Sequence, residues 1–175
     1  MNDIQLILKA ASFAAEKHRM QRRKDVEASP YINHPLALAD IISNEGGVDD
    51  VVTICAALLH DTVEDTETSI EELEREFGKE ISLVVDEVTD DKTLPKLERK
   101  RLQIEHAATS SYKAKMVKLA DKICNLRDVA ACPPEGWSLE RKREYFDWSK
   151  AVIEQLRGTN VALEQLFDRA YEQKP

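Results

Sequence analysis

Two histidines and two aspartates, His34, His60, Asp61 and Asp121, stand at three separated points of the chain, with His60 and Asp61 adjacent. His60 and Asp61 close an apolar run that starts at Ile54, and Asp121 follows Met116-Val117-Lys118-Leu119-Ala120. A carboxylate at the end of a core helix is costly to bury unless something cationic compensates it. A divalent ion shared by two imidazoles and two carboxylates does so economically. The donors are nitrogen and hard oxygen without thiolate, which suits Mn(II), Fe(II) or Zn(II), and the carboxylate share tilts the choice toward Mn(II). Four protein ligands on an ion that prefers six leave positions for water and substrate oxygens. Neighbouring residues lie about 100° apart on a helix, so His60 and Asp61 face one ion best where a helix ends. The polar Thr62-Val63-Glu64-Asp65 fits such an end.

Glu64 and Asp65 fall about one helical turn beyond His60 and Asp61, so both carboxylates project beside the ion if the helix persists. A carboxylate there can take a proton from a water whose pKa the ion has lowered. Asn125 and Asp128 follow Asp121 on its own face, and Asn125 offers the donor and acceptor that base or ribose recognition requires. Lys115, Lys118 and Lys122 recur at helical spacing and read as a solvated face. Of Tyr145, Phe146 and Trp148, two read as core and one as a ring that can stack on a nucleobase.

The elements that must hold these residues are helices. Apolar residues recur at helical spacing from Ile4 to Ala15, and that helix ends near His18. Pro35 fits the first turn of a second helix that stops at Gly46-Gly47. Asp49 is expected to cap a third helix, apolar almost all round from Val51 to Leu59 and therefore central to the core. Ser69 with Glu72 reads as a capping box for a helix closed by Gly78, and Ile81–Val88 continues as another. Pro95 opens the next helix, Lys115–Ala130 carries Asp121, and Ser138 begins a long helix reaching about Arg157. Gly158 ends it, and Thr159-Asn160 caps the last. The expectation is one all-α domain over residues 1–175, a bundle of eight to ten helices.

Composition narrows the function classes. Hydrophobic residues at 42% and charged residues at 33% describe a soluble globular protein, not a disordered one. No apolar run approaches the roughly 20 residues of a membrane span, and no secretory signal is visible at the N-terminus. The odd count of three cysteines, without a C-x-x-C pair, reads as reduced thiols, with Cys55 and Cys124 buried. These features point to the cytoplasm. A net charge of -8 disfavours binding to nucleic acid or to anionic membranes, and no protein partner is readable. A polyanionic substrate would need a local basic patch. Arg22-Arg23-Lys24 is the candidate, with a solvated loop as the plain alternative.

Several segments together resemble a known family. Tyr31-Ile32-Asn33-His34-Pro35, His60-Asp61-Thr62-Val63-Glu64-Asp65, Lys118-Leu119-Ala120-Asp121-Lys122 and Asn125-Leu126-Arg127 are similar to the HD hydrolase domain of the RelA/SpoT alarmone enzymes of the stringent response. Thr89–Arg99 and Pro134–Ser138 bring the resemblance closer to the stand-alone small alarmone hydrolases, the group that includes the metazoan SpoT homologue. The resemblance spans essentially the whole chain. It implies the all-α HD fold, an ion, usually Mn(II), on His34, His60, Asp61 and Asp121, and Glu64 with Asp65 as the pair that activates water. It also implies that Arg23 and Lys24 line the nucleotide site, with Lys96, Asn125, Arg141 and Tyr145 as further substrate contacts. The implied reaction removes the 3′-diphosphate from (p)ppGpp, giving pyrophosphate and GDP or GTP. The loop between Lys24 and Tyr31 looks longer than in the large bifunctional enzymes. No synthetase domain fits in this length, so the expected activity is degradation alone. Two other readings stay open: a related hydrolase acting on (p)ppApp or on the 2′-phosphate of NADPH, and a nucleotide sensor without turnover.

Overall fold

The structure, a computed structural model, describes residues 2–175. It is all-α: α1 (Asp3–Lys17), α2 (Asn33–Asp40), α3 (Val51–Leu59), α4 (Thr62–Asp65), α5 (Ile70–Phe77), α6 (Lys79–Val88), α7 (Lys96–Ala107), α8 (Tyr112–Ala131), α9 (Leu139–Glu154) and α10 (Val161–Tyr171). Among the described residues there is no β-strand. A single antiparallel bridge between Arg22 and Pro30 closes the loop that carries Arg23 and Lys24. Among the described residues no helix is long and apolar enough to cross a membrane.

Helix α3 lies at the centre, packed against α1, α2, α6 and α8. Every residue from Thr53 to Leu59 is buried. That burial follows from a segment apolar on all sides, which has no face to offer water. Helix α8 lies beside α3 and contributes Ala114, Met116, Val117, Leu119, Ala120, Ile123 and Leu126 to the same core cluster. Both metal-seeking helices are thus anchored by apolar packing, and their polar positions, with Val117, reach the cavity between them.

Several boundaries differ from the sequence expectation. Asp50, not Asp49, caps α3: its Oδ2 accepts the Thr53 backbone N–H at 2.9 Å. The cap lies one residue further on because Asp50 is the last residue in extended backbone before Val51. Ser69 caps α5 through the Glu72 N–H at 3.2 Å, but the return half of the box goes elsewhere, because the Glu72 carboxylate takes the Lys17 ammonium at 3.0 Å. Helix α8 starts at Tyr112, where Ser111 accepts the Ala114 N–H. Helix α9 stops at Glu154. Helix α2 runs on as a π-helical turn over Ile41–Glu45 into Gly46. A Cβ on Gly46 would lie 2.6 Å from Leu163 Cδ2 and 2.8 Å from Ile42 O, so only glycine lets α10 approach this turn.

Candidate active site

Three helix ends and one helix middle bring the metal-seeking residues together. His34 is in the first turn of α2 and 4% exposed, and His60 ends α3 and is 6% exposed. The chain breaks at Asp61 (φ −97°, ψ −3°) before α4, and this break turns Asp61 toward the same point as His60. Asp121 comes from the middle of α8. His34, His60 and Asp121 each offer one ligand atom within 4.8 Å of the others, a group that can hold a metal ion. His34 Nε2 lies 3.3 Å from Asp121 Oδ1 and 3.8 Å from Asp61 Oδ2. Asp61 Oδ2 lies 3.0 Å from His60 Nε2, so it joins the cluster through both imidazoles.

The tautomers suit a metal. His60 Nδ1 is 2.8 Å from the Ala57 carbonyl, an acceptor only, so that nitrogen carries a proton. Its Nε2 is buried without a hydrogen-bond partner and faces a carboxylate. An imidazole held by its far nitrogen, with the near one turned toward the other ligands, is the usual arrangement of a metal-binding histidine. Burial works against charge on His60, yet the Asp61 carboxylate outweighs it and raises the imidazole pKa. Burial likewise works against charge on Asp121, but Lys122 and the two histidines hold its carboxyl well below the usual range.

That role of Lys122 overturns the reading of the lysine stripe as a solvated face. Lys122 is 5% exposed, its Nζ lies 2.9 Å from Asp121 Oδ2, and it rests over the Trp148 ring at 4.5 Å. Lys118 is half-buried and lines the cavity at the metal-seeking cluster, as Lys122 does. Lysine can be drawn inward here because α9 supplies an aromatic face and Asp121 supplies the countercharge.

Glu64 and Asp65 line that cavity, which measures about 220 Å³. Glu64 Oε2 accepts the Asp90 N–H at 3.2 Å, and Arg99 lies 3.9 Å from its other oxygen. Burial pushes the Glu64 carboxyl up to about 7, assisted by the neighbouring carboxylates and opposed by the Asp90 N–H. A carboxylate near neutrality is matched to proton transfer at neutral pH. Asp65 pairs with Lys92 through Oδ1, and its Oδ2 lies 3.2 Å from the Tyr31 hydroxyl.

The six expected substrate contacts divide into two sets. Arg23 and Asn125 line the central cavity. Arg23 donates to Asp128 Oδ2 at 2.6 Å and to Asn125 Oδ1 at 3.3 Å, and Asn125 Nδ2 donates to Asp121 Oδ1 at 2.6 Å. Lys24, Lys96, Arg141 and Tyr145 stand outside it, around two adjoining cavities. One, about 970 Å³, is shared by Arg23, Lys24, Tyr31, Asn125, Trp137 and Tyr145. The other, about 610 Å³, is lined by Lys24, Lys96, Lys100, Arg141, Tyr145 and Trp148 among others. Of the three rings on α9, only Phe146 is fully buried; Tyr145 and Trp148 are half-buried cavity walls, so one ring is core instead of two. The sequence pattern does not mark Lys118, Lys122, Asp90, Gln103 and Lys100 as cavity residues, although the fold places them there. The adjacency of Asp121 and Lys122 inside an apolar run was the one available signal.

Comparison with known proteins identifies the family. A family model described as HD domain matches residues 10–147. The guanosine-3′,5′-bis(diphosphate) 3′-pyrophosphohydrolase MESH1 of Xenopus tropicalis is 61% identical over 97% of this chain and 95% of its own length. The MESH1 of Homo sapiens is 57% identical over 96% of this chain and 94% of its own. A solved structure, described as a metazoan ortholog of SpoT that hydrolyzes ppGpp and plays a role in starvation responses, superposes with a TM-score of 0.93. It is 50% identical, covering 96% of this chain and 94% of that one. The chain belongs to the HD-domain family, within the group formed by these MESH1 proteins.

Proposed function

We propose that the protein is a metal-dependent hydrolase that removes the 3′-diphosphate of (p)ppGpp, releasing pyrophosphate and GDP or GTP, with residues 1–175 acting as one catalytic domain in the cytoplasm. The observation that carries this reading is the convergence of the buried His34 and His60 Nε2 atoms on the Asp61 and Asp121 carboxylates, on a cavity that Glu64 and Asp65 also line. The near-full-length identity to proteins named for that reaction gives the substrate.

His34, His60, Asp61 and Asp121 hold the ion, and their carboxylate share favours Mn(II). An ion bound there would offset charge on a phosphoryl oxygen and would make a water more acidic. Glu64 takes the proton of the attacking water as its oxygen closes on phosphorus, and Asp65 orients that water. The bond from phosphorus to the ribose 3′-oxygen breaks, and that oxygen leaves with the nucleotide and takes up a proton from solvent. Asn125, tied to both Asp121 and Arg23, fixes the ribose side of the cavity. Arg23 and Lys24 hold phosphate and base, and Lys96, Arg141 and Tyr145 contact the outer part of the nucleotide. Catalysis of this kind is mostly positioning and charge stabilisation.

The test is incubation of the purified protein and Mn(II) with ppGpp, ppApp and NADPH separately, followed by chromatography. Pyrophosphate and GDP from ppGpp are expected, and His60→Ala should abolish them together with bound metal. A protein that leaves ppGpp intact while releasing phosphate from NADPH would overturn the substrate assignment.

A further inference from the structure

One hydroxyl stands between two carboxylates that the proposed function assigns to different tasks. Tyr31 Oη lies 2.5 Å from Asp61 Oδ2 and 3.2 Å from Asp65 Oδ2. Two carboxylates converging on one point repel each other. At this point the phenol supplies the proton that both can share.

The ring carrying that hydroxyl is fixed from behind. His18, which is 1% exposed, stacks on it at 4.7 Å between centroids with planes 30° apart. His18 Nδ1 is 2.6 Å from Gln21 Oε1, and Gln21 Nε2 donates to the Asp65 carbonyl at 2.5 Å. The Tyr31 backbone N–H donates to Gln21 O at 3.2 Å. The end of α1 and the residues after it therefore grip the Tyr31 ring and the Asp65 backbone together. Nothing in the metal set or the catalytic pair calls for this buried polar arrangement.

We propose that Tyr31 is a positioning residue whose hydroxyl sets the side-chain orientations of Asp61 and Asp65 relative to each other. It works through those two carboxylates. The competing role is a stacking surface for the base, since the Arg23 guanidinium lies over the same ring at 5.8 Å. Tyr31→Phe separates the two, because it keeps the ring and removes only the oxygen. This inference rests on the proposed function for its kinetic part, and on the structure alone for the rest.

Tyr31→Phe, saturated with Mn(II), should lose at least about tenfold in kcat on ppGpp, with KM within about twofold of the parent. Tyr31→Leu should add a rise in KM. In a crystal structure of Tyr31→Phe the Asp61 or the Asp65 carboxylate should leave the orientation seen here. Parental kcat in Tyr31→Phe, or Asp61 and Asp65 carboxylates that both keep the orientations seen here, would each overturn the proposal. A parent protein without turnover would sink the hydrolase reading instead, and the two orientations would still decide the role of Tyr31.

Discussion

Lys122 follows Asp121 in the chain and forms a buried ion pair with it, and its value is set by what remains when it is removed. Lys122→Met leaves the Asp121 carboxylate, 20% exposed, without its cation. Breaking a buried pair on one side costs on the order of 3 kcal/mol. A bound divalent ion beside Asp121 offsets most of that cost. The metal-free variant should therefore melt well below the metal-free parent, and the gap should shrink when Mn(II) is added. Equal melting of the two metal-free proteins would remove Lys122 from the site. Glu64→Gln and Asp65→Asn should keep metal and nucleotide yet lose turnover, by about 100-fold where the residue is the base; near-parental rates in both would return the acidic turn to the surface. At this scale the gathering of His34, His60, Asp61 and Asp121 with Glu64 and Asp65 at one cavity is legible in the sequence, because histidine and carboxylate at the ends of apolar runs are anomalous. Lys122 is not, because a lysine reads as solvated until its partners are known. Its aromatic partner comes from α9, and only folding brings Trp148 over it.

Helix boundaries were legible where one residue type admits one role. Gly78, at φ 87°, ends α5 as its backbone freedom requires, and Pro95 precedes α7. Two neighbouring aspartates offered no such distinction, and the cap fell on Asp50 instead of Asp49. Asp50 also accepts the Thr53 hydroxyl and pairs with Lys113 at 2.7 Å. Removing such a cap costs about 1 kcal/mol, so Asp50→Ala should lower stability by roughly that amount. Asp49→Ala, on an exposed residue, should stay within about 0.5 kcal/mol. Denaturant titration of the two variants checks it, and the reverse order would reassign the cap. Burial works against charge on Asp50, but Lys113 and Thr53 hold its carboxyl below the ordinary value. A depressed folded pKa gives stability that is complete above the unfolded value of about 3.9. It is lost as pH falls through the folded one, so the difference between parent and Asp50→Ala should fade in acid and persist at neutral pH. The π-helical turn at Ile41–Glu45 was not legible, because it answers to the close approach of α10 at Gly46 and not to any local pattern.

Across the whole molecule, the net charge of -8 opposes a substrate bearing several phosphates. The fold answers by placing cations around the cavities that adjoin the acidic centre, and Arg23 and Lys24 stand where those cavities meet. Their situations differ. Lys24 is exposed, so Lys24→Ala subtracts one positive charge. Arg23 already binds Asp128 at 2.6 Å, so Arg23→Ala subtracts a charge and uncovers a negative one at the mouth of the cavity. Both variants should raise KM more than they lower kcat, with metal content unchanged, and Arg23→Ala should raise it further. Asp128→Asn added to Arg23→Ala should recover part of the loss, because it removes the uncovered carboxylate. The KM increase should be larger for ppGpp than for a guanosine 3′-diphosphate bearing one 5′-phosphate. Salt should narrow that difference, since exposed charges are screened beyond about 8 Å at physiological ionic strength. Steady-state kinetics on both substrates at low and high salt decides the matter. Equal, salt-independent losses on the two would mean that Arg23 and Lys24 shape the pocket wall and leave the phosphates to other groups.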